Sequence, residues 1–163
     1  MKVAIMSDSH DNWDKLKQAV ESANKNKCRQ LFFVGDLISP PGVSILEQFK
    51  GKVFMVFGNN EGEKVALTRL MDTSETITLM GDIYETAVDG VRFFMNHYPR
   101  ISELAGLSGE FDVCIHGHDH EYRDEKVGTT RLLNPGEIQG YKTGVSTYII
   151  FDTKGRTVQK ITL

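Results

Sequence analysis

Short apolar runs and helically spaced segments alternate along the first half of the chain. Val3-Ala-Ile-Met6 reads as a buried strand and ends on Ser7-Asp8-Ser9-His10. From Asn12 to Ala23 the apolar residues fall at Trp13, Leu16, Ala19, Val20 and Ala23. These steps of three and four put one helical face against a core, and Asp11 or Asn12 stands where an N-cap is needed. Leu31–Val34 is a second strand, closing on Gly35-Asp36. Pro40-Pro41-Gly42 punctuates the chain before a short helix over Val43–Phe49. A third strand, Val53–Phe57, ends at Gly58-Asn59-Asn60-Glu61, and Glu63–Met71 reads as helical. Strand and helix alternating three times predict a parallel sheet with crossover helices. In such sheets ligands bind beyond the carboxyl ends of the strands, and all three strands end in polar, chemically capable residues.

The second half carries a different pattern. Ile83–Val88 and Val91–Asn96 flank Asp89-Gly90, a strong hairpin signal. Arg100–Leu107 reads as a short helix. Phe111–Ile115 is a strand that runs into His116-Gly117-His118-Asp119-His120. Short strands follow near Tyr122–Val127 and Arg131–Leu133, and a last hairpin joins Ser146–Asp152 to Thr157–Leu163 through Lys154-Gly155. No repeat, low-complexity tract or linker interrupts the 163 residues, so one domain over 1–163 with a mixed α/β fold and two packed sheets is expected.

Composition narrows the classes. At 40% hydrophobic and 25% charged residues the chain is an ordinary globular one. A net charge of −3 argues against a long nucleic-acid partner held by a basic stripe, while leaving a short nucleotide-like substrate open. Cys28 and Cys114 lack a CxxC spacing and each lies in or beside an apolar run, so they read as small buried hydrophobes. No run approaches the roughly 18 apolar residues of a membrane span, which gives a cytoplasmic expectation. A homo-oligomer is the expectation for a compact domain of this size.

The chemistry lies in a combination of residues that are individually ordinary. Asp8-Ser9-His10 is more often a capping device, Gly35-Asp36 a turn, and Gly58-Asn59-Asn60-Glu61 a turn tolerant of positive φ. A lone His97 after Phe93-Phe94-Met95 is more often structural. His118-Asp119-His120 is less ordinary, since two alternate imidazoles directly after a strand suit a transition metal. All five histidines lie at ends of predicted strands. The donors are imidazole and oxygen without thiolate, a set suited to manganese, iron, zinc, nickel or cobalt. Seven candidates exceed what one ion needs, and a carboxylate bridging two ions accounts for the surplus.

These segments, in this order and separation, resemble the calcineurin-like metallophosphoesterases, in particular their small bacterial and archaeal phosphodiesterase branch. The resemblance extends through Asn134-Pro135-Gly136 to the terminal hairpin. It implies a four-layer α-β-β-α sandwich. It implies one divalent ion held by Asp8, His10, Asp36 and His120, and a second by Asp36, Asn59, His97 and His118, with Asp36 bridging. Manganese is the first expectation for the metal. The implied reaction is hydrolysis of a small phosphodiester by a metal-bridging hydroxide, with Asp36, Asn59 and His97 acting through that hydroxide and the phosphate, and Asn60 a candidate substrate contact.

Two positions depart from the family pattern. Asn60 stands where many members have a His that could supply a proton. Tyr98 follows His97 where the small branch often has Gly, and Pro99 stiffens that loop. His116 carries no assigned role. Arg100 reads as a solvated surface residue in competition with a phosphate contact, and Phe57 and Tyr141 are open between pocket and core. The alternatives to a diesterase are a phosphomonoesterase of the same fold and a non-catalytic interaction scaffold resembling the retromer subunit. The scaffold would be expected to have lost ligands, and here all seven positions hold competent ones.

Overall fold

A computed structural model describes residues 1–163. The first sheet contains β1 (Lys2–Met6), β2 (Gln30–Val34), β3 (Lys52–Val56), β4 (Ile77–Leu79), β10 (Thr147–Asp152) and β11 (Thr157–Thr162), in the order β11-β10-β1-β2-β3-β4. β1 to β4 run parallel, with α1 (Trp13–Lys25), α2 (Pro41–Leu46) and α3 (Lys64–Asp72) as the crossovers. The second sheet is β5 (Ile83–Val88), β6 (Val91–Asn96), β7 (Val113–Ile115), β9 (Thr130–Pro135) and β8 (Tyr122–Val127), in that order. α4 (Pro99–Ser108) connects β6 to β7.

Strand alternation assigns each side chain to a layer. On β1, Val3 and Ile5 point between the sheets while Ala4 and Met6 point at the helices; on β2, Phe32 and Val34 face in while Leu31 and Phe33 face out. The inner layer joins Val3, Ile5, Phe32, Val34, Ile149 and Phe151 to Phe93, Met95, Val113, Ile115 and Leu133 of the other sheet. Phe93 meets Phe32 and Phe151 edge to face, both at 5.4 Å between ring centroids, a preferred aromatic geometry. The outer face of the first sheet is covered by Leu16, Ala19, Val20 and Ala23 of α1 with Val43, Leu46, Leu67 and Met71. Beneath α4 lies a smaller cluster, Phe94, Cys114 and Leu132. The result is the expected helix–sheet–sheet–helix sandwich.

Several local expectations are corrected. Trp13 is 46% exposed; the apolar stripe of α1 starts at Leu16, and the indole Nε1 donates instead to Asp11 Oδ1 at 3.3 Å. Asn12 is the cap, its Oδ1 accepting from Lys15 N at 3.3 Å. α2 begins at Pro41 and ends at Leu46 rather than spanning Val43–Phe49, because Pro at the first helical position has a suitable φ and lacks only an N–H that would have no intrahelical partner there. β4 escaped the sequence reading because three residues show no period. β6, β7 and β9 are mutually parallel, an arrangement that the hairpin signals around them concealed. The Asp89-Gly90 turn is as expected, with φ of 49° and 76° at the two residues, as a type I′ turn demands. No helix is long and apolar enough to cross a membrane.

Cys28 and Cys114 are free and buried. Burial pushes the Cys28 thiol up to about 11 and the Cys114 thiol up to about 12. Unfolded, each would ionise near 9.0. The stability these neutral thiols contribute is therefore complete below pH 9 and is lost as pH rises toward 11 and 12, at roughly 1.4 kcal/mol per pH unit per thiol inside that window. The denaturation midpoint should fall between pH 8 and pH 10, and at pH 8 a thiol reagent should label only unfolded protein. Rapid labelling of the native protein would contradict this account.

Candidate metal centre

The parallel strands deliver their carboxyl ends to one rim, where loops from both sheets interlock. Asp8 N donates to Gly35 O and His10 N to Asp36 O, each at 3.1 Å. These bonds tie the loop after β1 to the loop after β2. Ile138 N and Gln139 N donate to Ser7 O and Asp8 O, each at 3.0 Å, and Gly117 N to His97 O at 3.1 Å, which brings in the loops after β6, β7 and β9. Gly117 must be glycine, because a Cβ there would stand 2.6 Å from Asp8 Oδ2 and collide with Ser7 Oγ.

All seven candidate side chains converge at this rim. Asp8, His10 and His120 form one group of mutually close donor atoms, and Asp8, Asp36 and His97 another. Asp36 lies between the groups: its Oδ2 is 3.3 Å from His10 Nε2 and 3.6 Å from His97 Nε2. Asp8 Oδ1 is 3.6 Å from His10 Nε2 and 3.4 Å from His120 Nε2. Asn59 Oδ1 lies 3.0 Å from His97 Nε2 and 2.8 Å from His118 Nδ1, so Asn59 joins His118 to the second group. Asp8, Asp36 and His97 are at most 1% exposed.

Ring tautomers expose the character of this cluster. His97 Nδ1 lies 2.7 Å from the Val34 carbonyl, which can only accept, so Nδ1 carries the proton. Nε2 then turns a lone pair toward Asn59 Oδ1 and Asp36 Oδ2. His120 Nδ1 lies 2.7 Å from Glu137 Oε2 and by the same reasoning donates, leaving the Nε2 lone pair facing Asp8 Oδ1. Asp8 Oδ1 and His10 Nε2 are buried without any hydrogen-bond partner. Lone pairs directed at one another in a buried site are costly unless a cation or a proton stands among them. Burial opposes charge on Asp8, but the nearness of the His10, His97 and His120 rings outweighs it and holds the carboxyl below its ordinary range. Burial likewise opposes charge on His10, and Asp8 and Asp36 overcome it, raising the ring above its ordinary value. This oxygen and imidazole pocket therefore draws positive charge, and its donor set fits divalent ions.

Backbone strain is concentrated at the same place. Asp8, His10, Asp36, His118 and His120 all have positive φ, between 41° and 74°, a left-handed conformation that non-glycine residues seldom adopt. Such strain clusters at functional sites.

The sequence assigned no role to Glu61, Glu137 or Asn134. Glu61, 7% exposed, accepts from Leu37 N at 3.2 Å and Gly58 N at 2.7 Å, clamping the loops that carry Asp36 and Asn59. Glu137, with no exposed surface, holds His120. Asn134 donates to Gly117 O at 3.2 Å and to Asp119 Oδ1, shaping the histidine loop. Asn60 donates to both oxygens of Asp36, through N to Oδ1 at 2.9 Å and Nδ2 to Oδ2 at 2.8 Å. Tyr98 flanks the centre, its ring 5.4 Å from those of His97 and His118. His116 belongs to neither group; burial keeps its ring below the ordinary histidine value. Arg100 pairs with Glu103 at 3.8 Å on α4. Phe57 packs at the edge of the core under Lys64, and Tyr141 is 77% exposed. A cavity of about 280 Å³ between Val91, Lys126 and Phe151 lies at the other end of the strands; its Arg131 and Arg156 are paired with Asp124 and Asp112.

Comparison with known proteins agrees with this fold. The calcineurin-like phosphoesterase superfamily domain matches residues 1–156. A phosphodiesterase of Methanocaldococcus jannaschii is 32% identical over 165 residues, covering 100% of this chain and 99% of the relative. The solved structure of an archaeal phosphodiesterase superposes with a TM-score of 0.93 at 34% identity over 100% of both chains. The phosphoesterase YfcE of E. coli gives a TM-score of 0.72 at 19% identity, covering 99% of this chain and 98% of its own, and shares the fold.

Proposed function

The chain belongs to the calcineurin-like phosphoesterase superfamily, and we propose that it is a divalent-metal-dependent phosphodiesterase acting on a small phosphodiester. Membership implies divalent ions. In this reading Asp8, His10, Asp36 and His120 hold one ion and Asp36, Asn59, His97 and His118 a second, with manganese the first choice. When bound, such ions lower the pKa of water and neutralise charge on a phosphoryl group.

The observation that carries this reading is the set of lone pairs aimed inward from the rim: Asp8 Oδ1 and His10 Nε2 without partners, and His97 Nε2 facing Asn59 Oδ1. The chain's own groups supply the rest. Val34 O and Glu137 accept a hydrogen bond from Nδ1–H of His97 and His120 respectively, so both rings present Nε2 to the centre. Asn59 contributes an oxygen without a negative charge, which keeps the site attractive to an anion. Asn60 is held on Asp36 and carries no proton that it could release near neutral pH. The leaving group must therefore depart without a proton from this residue, which favours a diester with a stable alkoxide or aryloxide.

The test is to strip the protein of metal, reconstitute it with Mn2+, and compare bis(4-nitrophenyl) phosphate with 4-nitrophenyl phosphate. The diester should be preferred, and activity should return only with the ion. A strong monoester preference would overturn the diesterase reading. Failure to bind any divalent ion would overturn the enzymatic one.

A further inference from the structure

Glu137 follows Gly136 at the end of β9 and is wholly buried. Its two oxygens do different work. Oε2 receives His120 Nδ1–H at 2.7 Å and Gln139 Nε2 at 2.8 Å. Oε1 receives Lys142 N at 3.0 Å, Thr143 N at 2.7 Å and Thr143 Oγ1 at 2.7 Å. One carboxylate thus grips a metal-centre imidazole on one side and the turn of the 139–143 loop on the other. That loop is also tied to the rim, since Gln139 N donates to Asp8 O at 3.0 Å and Asn12 Nδ2 donates to Gln139 O at 2.8 Å. Gln139 Nε2 comes within 3.0 Å of His120 Nδ1 as well. The Glu137 carboxylate can only accept, so the contact at 2.7 Å puts the proton on His120 Nδ1, and the Gln139 amide donates to Oε2 rather than to the ring.

We propose that Glu137 is a positioning residue that locks His120 in the Nδ1–H tautomer, so that Nε2 stays open toward Asp8, and fastens the 139–143 loop to that same ring. It deepens the metal-centre reading and rests on it for the identity of what Nε2 binds. A carboxylate behind a ligating imidazole fixes ring orientation and raises its basicity, and its loss typically lowers metal affinity by about 10–100-fold.

Glu137→Gln separates the two roles. The amide oxygen can take the place of Oε1 and keep the loop, but the NH2 then faces His120 Nδ1. The ring is forced to accept there and to carry its proton on Nε2, pointed into the centre. Glu137→Ala removes both roles. The ring nitrogen shifts of His120 in metal-free protein read the tautomer. Amide exchange at Lys142 and Thr143 reads the loop, and titration calorimetry with Co2+ reads the affinity. Wild-type protein should show Nδ1–H. The Gln variant should show Nε2–H, near-wild-type exchange and Co2+ affinity lowered by about 10–100-fold. The Ala variant should lose affinity and exchange both amides faster. A Gln variant that keeps the Nδ1–H tautomer, or binds Co2+ as wild type does, overturns the proposal, as does an Ala variant with unchanged exchange. Should wild-type protein bind no Co2+ at all, the metal-centre reading fails, while the tautomer and exchange measurements still decide the role of Glu137.

Discussion

Asp36→Asn is expected to lower diester hydrolysis by on the order of 1,000-fold or more, because Asp36 is the side chain common to the two proposed ion-binding sets. Its Oδ2 approaches His10 Nε2 at 3.3 Å and His97 Nε2 at 3.6 Å. The isosteric amide keeps the volume but removes the negative charge between the two proposed cation sites. It also directs an NH2 either at the Asn60 amide groups that now donate to both oxygens or at the rings. Metal content, measured by plasma mass spectrometry after dialysis, should drop from two ions to one or none. The metal-free fold should survive, since the substitution relieves a buried charge. A variant with both ions in place and more than a tenth of the parental activity would remove Asp36 from the bridging role.

Gly35→Ala should be a strongly damaging single-methyl change. Gly35 has φ of +88°, and an added Cβ would lie 2.7 Å from both Gly58 N and His97 Nδ1 and 2.8 Å from Gly58 Cα. None of these atoms is the free end of a flexible side chain. The left-handed conformation costs an L-residue about 1–2 kcal/mol, and overpacking a rigid site about 1–3 kcal/mol. A loss of roughly 2–5 kcal/mol is expected by urea denaturation. The contact also pushes on the His97–Val34 hydrogen bond, so metal affinity should fall even in the fraction that stays folded. A variant within about 0.5 kcal/mol of the parent would show that the loops after β2 and β3 can separate freely.

The sheet frame was legible because it obeys simple periods. The apolar run at Val3–Met6, the spacing of Leu16, Ala19, Val20 and Ala23, and Asp89-Gly90 each imply one local structure, and each is found. Short elements were less legible: β4 has three residues, too few to display a period, and the six-residue α2 was expected over Val43–Phe49 rather than Pro41–Leu46. The candidate ligands were visible because they follow strands, a placement a sequence reveals. Glu61 and Glu137 were invisible for the opposite reason. A glutamate in a polar loop reads as solvated, and only the fold shows them at 7% and 0% exposure, with backbone amides aimed at their oxygens. The one available signal for Glu137 was its position directly after Asn134-Pro135-Gly136.

The five left-handed candidate ligands have a bearing on how this protein can be altered. Each position, taken alone, would be more comfortable as glycine, so random mutation screened only for thermal resistance would tend to select their removal. A backbone-idealising redesign would make the same choice. Stability and chemistry are thus opposed at Asp8, His10, Asp36, His118 and His120, and any lineage of this fold that no longer needs its ions has a downhill route to a sturdier, silent protein.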